Sequence, residues 1–139
     1  MKSSYIAFLV RKNDEAFRSR HNEDNDDIYR TAPKESFEVR RVGAFLFSPE
    51  YRYYVLSFYD EDCNEIALIY TNMIIEIKGE NLKELVLAIR RKNLIYMQQF
   101  HPLEFEQPEE GTPVIRKVNV VMGRFYDEIL EKLNSGLKN

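Results

Sequence analysis

One cysteine, two histidines and five isolated glycines are all that this chain of 139 residues offers of three residue types on which much site chemistry depends. A single thiol, Cys63, excludes an internal disulfide and a zinc site built on several cysteines. Two histidines, His21 and His101, exclude a multi-histidine metal centre, and neither has a placed partner for a catalytic dyad. With its glycines apart, the chain has no glycine-rich loop to cradle a phosphate. No glycine precedes Arg41, so the acidic run His21-Asn22-Glu23-Asp24-Asn25-Asp26-Asp27 lacks the sharp turn of a calcium-binding EF-hand loop. Long apolar runs are also missing: none approaches the roughly 18–20 residues that cross a bilayer as a helix. The N-terminal run Tyr5-Ile6-Ala7-Phe8-Leu9-Val10 is shorter than a signal-peptide core and is followed at once by Arg11-Lys12. With one thiol, no export signal and no lipidation motif, the expectation is a cytoplasmic protein without membrane contact.

What is present suits one globular domain spanning residues 1–139. The chain is 44% hydrophobic and 31% charged, with a net charge of -3. That length can bury roughly two-thirds of the unfolded surface in a single core. The acidic balance opposes a role in coating nucleic acid or anionic membrane.

Along the chain, residues 5–10 read as a short strand buried on both faces. Residues 11–36 read as a flexible acidic excursion outside the scaffold. From residue 37 short strands follow one another: 37–47, bent near Arg40-Arg41 and Gly43, then 51–59, 65–71 and 73–79. Their short connections predict an antiparallel meander over about residues 37–79. Tyr54, Leu56 and Phe58 share one face of the second strand. Ile66, Leu68 and Tyr70 share one face of the next, and Met73, Ile75 and Ile77 face inward on the one after it, with Ile74, Glu76 and Lys78 outward. The hydrophobic period then changes from two to 3.6. Asn81 can cap a helix over about 81–92 that buries Leu82, Leu85, Val86 and Ile89. Residues 94–100 are read as a returning strand, the alternative being an extension of the helix, whose phase Tyr96, Met97 and Phe100 keep; 101–113 form a proline-stiffened loop, 114–122 a last strand and about 124–135 a helix closing at Gly136. Grouped strands with two packed helices make an α+β fold.

Three constellations bear on function. The segment Ile74-Ile75-Glu76-Ile77-Lys78-Gly79, a strand carrying Glu-x-Lys before a helix, resembles the catalytic strand of the restriction-endonuclease-like nucleases. The resemblance covers about twenty residues. It implies Glu76 and an upstream Asp60 or Asp62 as ligands of Mg²⁺ or Mn²⁺, with Lys78 assisting an attacking water. The bland alternative is an exposed charged pair on an antiparallel strand. Basic clusters at Arg40-Arg41 and Arg90-Arg91-Lys92, with Phe37, Phe45 and Tyr53 nearby, suit a sheet that binds single-stranded nucleic acid, but charges of opposite sign interspersed throughout oppose that reading. Cys63 lies in an acidic turn that does not activate a thiol, and reads as an incidental exposed sulfur.

The third is Tyr51-Arg52-Tyr53-Tyr54-Val55-Leu56-Ser57-Phe58-Tyr59, apolar and aromatic on both faces. Either a partner covers its second face, or the C-terminal helix, the 11–36 excursion or a curled sheet does so. Tyrosine suits the first alternative, since its ring contributes area while its hydroxyl stays satisfied. The favoured expectation is a non-enzymatic interaction module without cofactor, contacting a protein partner or a second copy. Its surface would comprise Tyr51, Tyr53, Val55, Arg40 and Arg41. The alternatives are the metal-dependent nuclease and a small-ligand sensor with a pocket between sheet and helix.

Overall fold

The computed structural model describes residues 2–11 and 35–136. Most of the expected excursion, including the acidic run from His21, lies outside the described residues. Among those described, two sheets and two helices form a mostly antiparallel α+β fold, as the grouping of strands predicts.

The meander is built from β3 (Tyr54–Tyr59), β4 (Glu65–Tyr70) and β5 (Met73–Glu80), and β7 (Val114–Met122) adds to it in the order β3-β4-β5-β7. Period-two apolar residues on β4 and β5 place Leu68 opposite Ile75 and Ile66 opposite Ile77. These four line a core shared with Leu82, Leu85, Val86, Ala88 and Ile89 on and just before α1 (Lys83–Arg90). A second sheet supplies the other wall: β1 (Phe8–Val10), β6 (Leu94–Gln98) and β2 (Glu38–Arg40), in the order β1-β6-β2. Phe37, Val39 and Met97 from this side complete the same cluster. Behind the meander, α2 (Arg124–Ser135) lays Ile129, Leu130 and Leu133 over Ala67, Ile69, Ile74 and Val121. Its end is set by Gly136 in the left-handed region, φ 75°.

Several expectations need correction. The meander begins at Tyr54, not at residue 37. Only Glu38–Arg40 of the expected first strand is extended, and it runs parallel to β6 in the other sheet. Gly43, φ 70°, turns the chain so that Phe47 pairs back onto Val39. Tyr51–Tyr53 is a single 3₁₀ turn rather than strand. A bulge between Tyr54 and Leu56 then shifts the alternation. Tyr54 therefore faces the main core while Phe58, with its neighbour Leu56 opposite Ile69, belongs to the α2 side. Ile74 points away from the main core as expected, yet it is fully buried because α2 covers it. β1 is not buried on both faces; it is a sheet edge with Leu9 and Val10 in solvent. Asn81 does not cap α1. Leu82 occupies that position, and the Asn81 amide donates to the Thr112 carbonyl at 3.1 Å. Cys63 is buried rather than exposed, at φ 57° in the turn between β3 and β4.

Two tyrosines, Tyr5 half-buried and Tyr51 buried, tie the sheets together. Tyr5 donates its hydroxyl to the Gln98 carbonyl and accepts the Ile115 N–H at 3.1 Å, joining β6 to β7. Tyr51 donates to the Leu94 carbonyl at 3.3 Å and accepts the Leu94 N–H at 3.1 Å. Burial pushes both phenols up to about 12 from the usual 10, and burial raises Tyr70 as well. A raised phenol holds its proton in the folded state after the unfolded chain has released its own. Stability is therefore fully present below pH 10 and falls as pH rises from 10 towards 12. Urea midpoints measured across that interval should decline, and Tyr51→Phe should flatten the decline; an equally steep profile in that variant would remove Tyr51 as a cause.

Candidate interaction surface

The Glu-x-Lys segment sits on β5 between β4 and β7, where each charged group already has a protein neighbour. Glu76 accepts the Asn119 side-chain amide at 2.9 Å. Lys78 stands opposite Glu65, its Nζ 3.8 Å from Oε1, with both side chains largely in water. The Asp60 carboxylate accepts the backbone N–H groups of Asn64 and Glu65 at 2.8 and 3.0 Å, closing the β3–β4 turn. Asp62 is exposed in that turn. Among the described residues no group of three or more His, Cys, Asp or Glu side chains gathers where one ion could be held. His101 accepts the Leu103 N–H on Nδ1 at 3.2 Å, an arrangement that shapes the loop after β6.

A cleft of about 240 Å³ opens on the three-stranded sheet, lined by Ser36, Glu38, Arg40, Ser48, Ile95 and Tyr96. It does not lie between sheet and helix. Arg40 is engaged within it, bonded to Glu38 at 2.5 Å and stacked 3.7 Å above the Tyr96 ring. The volume falls below the usual range for pockets that enclose a small organic ligand, roughly 300–1,000 Å³.

The aromatic segment divides sharply. Tyr51, expected on the interaction surface, is 4% exposed and packs its ring 5.3 Å from Phe37. Tyr53 and Val55 are in solvent as expected, and the bulge adds Leu56, with Tyr59 exposed further along. All four lie on or beside β3, which is an edge of the four-stranded sheet. Arg40 and Arg41 sit on and just after β2, in the other sheet. Arg41 donates from Nη2 to the Phe45 carbonyl at 3.2 Å and stacks 5.0 Å over Phe47, bracing the turn between them.

No family model, no curated protein and no solved structure matches this chain. The site therefore rests on geometry alone. That geometry adds residues that sequence reasoning passed over. Phe45 is 90% exposed at the tip of the Arg41-braced turn, with Val42 and Leu46 beside it. The apolar run from Ala44 to Phe47 reads as strand interior, and only Gly43 signals the turn. Strict alternation puts Leu56 on one face with Tyr54 and Phe58, a grouping that the bulge breaks.

Proposed function

We propose that the protein is a non-enzymatic binding module that works by protein–protein contact along β3. The observation that carries this reading is an edge strand presenting Tyr53, Val55, Leu56 and Tyr59 to solvent beside a strand, β4, that is buried from Ile66 to Tyr70. An edge strand offers unpaired backbone groups, and proteins ordinarily blunt it with charge. The other edge of this sheet follows that practice: β7 carries Arg116, Lys117 and Asn119 exposed. β3 carries apolar and aromatic side chains instead, whose burial contributes roughly 25 cal/mol per Å². The acid–lysine segment adds no weight to a catalytic reading, since Glu76 and Lys78 face Asn119 and Glu65.

Val55→Lys separates a binding role from a core role. It should leave the unfolding free energy within about 0.5 kcal/mol, as surface substitutions do. A benzophenone side chain placed at Tyr59 should cross-link the protein to itself or to another protein, and Val55→Lys should abolish the adduct. Unfolding of Val55→Lys at every concentration, or the absence of any adduct, would overturn the proposal.

A further inference from the structure

We infer that the occupant of the β3 edge is a second copy of this chain, paired antiparallel across a two-fold axis; the inference rests on β3 being the binding edge. Charge distribution along the strand is the first argument. Arg52 stands just before β3 and Asp60, Glu61 and Asp62 just after it. Antiparallel self-pairing brings the basic end of each copy against the acidic end of the other, twice over. Parallel pairing would stack like charges instead. Arg52 stays accessible for this, since its side chain is 68% exposed, with a surface pair to Glu50 and its guanidinium 4.7 Å over the Tyr53 ring.

Backbone geometry agrees. Asp60 donates its N–H to the Glu65 carbonyl in β4. Alternation along an antiparallel ladder then turns the N–H groups of Ser57 and Tyr59 away from β4, to the open side. Pairing centred on Ser57 satisfies them, sets Leu56 opposite Phe58, and carries the turn that holds Arg52 towards the acidic turn at residues 60–62 of the other copy. The bulge lies before Leu56, so the stretch from Leu56 to Tyr59 remains regular. On the outer face, Leu56 and Phe58 of the two copies meet and extend the apolar layer that α2 begins with the half-buried Ile129, Leu130 and Leu133. The result is a continuous sheet of two four-stranded halves. It closes there, because a two-fold contact uses up the edge on both sides and the charged β7 edge resists further addition.

Sedimentation of the full chain over a wide concentration range tests this directly. Dimers should form and should weaken as salt is raised. Arg52→Glu alone, and Glu61→Arg with Asp62→Arg alone, should each raise the dissociation constant by about tenfold, through two repulsive ends. Mixed together, the two variants should restore dimers, because each acidic end again meets a basic one; this recovery requires both chains to be folded. Monomers at all concentrations, or no recovery on mixing, would overturn self-pairing. Monomers accompanied by Tyr59 adducts to a different protein would leave β3 as the binding edge with another occupant. Monomers without any adduct would overturn both readings.

Discussion

Tyr51→Ala should lower the unfolding free energy by about 4 kcal/mol, in the range found when a buried aromatic is truncated to alanine. The residue is almost wholly enclosed, its ring packs on Phe37, and its hydroxyl makes both backbone hydrogen bonds of Leu94 where β6 begins. Truncation removes the ring and leaves the Leu94 N–H and carbonyl without that partner in the interior, so the cavity and desolvation costs act together. Tyr51→Phe keeps the ring and should lose only about 1–3 kcal/mol. Chemical denaturation of both variants beside Val55→Lys gives the decisive contrast. Two neighbouring members of one aromatic segment should differ several-fold in cost. A loss below about 1 kcal/mol for Tyr51→Ala would return that residue to the surface.

Gly79→Ala should cost about 3 kcal/mol, the upper end of the overpacking range. Here the requirement is space rather than conformational freedom. A Cβ at this position would stand 1.9 Å from the Val114 carbonyl oxygen and 3.1 Å from the Ile115 Cα. Those are backbone atoms of the neighbouring strand and cannot swing aside. Gly79 also sits at the irregularity where β5 and β7 change register, and its N–H donates to the Asn64 carbonyl at 2.9 Å. Relief of the clash must therefore disturb both the β7 ladder and the β3–β4 turn. Urea denaturation followed by circular dichroism measures the loss. An alanine variant as stable as the parent would show that β7 can retreat without cost.

Much of the candidate surface could be read from residue types. A stretch apolar on both faces has to be covered twice or left partly open, and both outcomes occur within nine residues. Helix α2 covers the far side of β4 and β5, whereas Tyr53, Val55 and Tyr59 stay in solvent. Tyr51 could not be told apart from Tyr53, since the two differ by which side of a single 3₁₀ turn they occupy. Leu56 depended on a bulge, and Phe45 on a turn at Gly43. Apart from Gly43, no local pattern distinguishes these from continuing strand. The acid–lysine pair shows the reverse failing, a spacing that suggests chemistry on a strand whose neighbours supply Asn119 and Glu65 instead of a third ligand.

From Tyr54 onward the kinds of element and their order were determined by the sequence itself, because hydrophobic period and chain-breaking residues act over a few residues. The change from period two to 3.6 marks α1, and the last strand and last helix fall at 114–122 and 124–135 as their patterns require. Pairing was decided only in three dimensions. That β2 leaves the meander to lie parallel to β6, that β3 rather than another strand is an edge, and which tyrosines are enclosed all depend on contacts between distant segments. Those contacts are chosen by how the whole apolar surface can best be buried at once, a competition in which no single stretch of chain contains the answer.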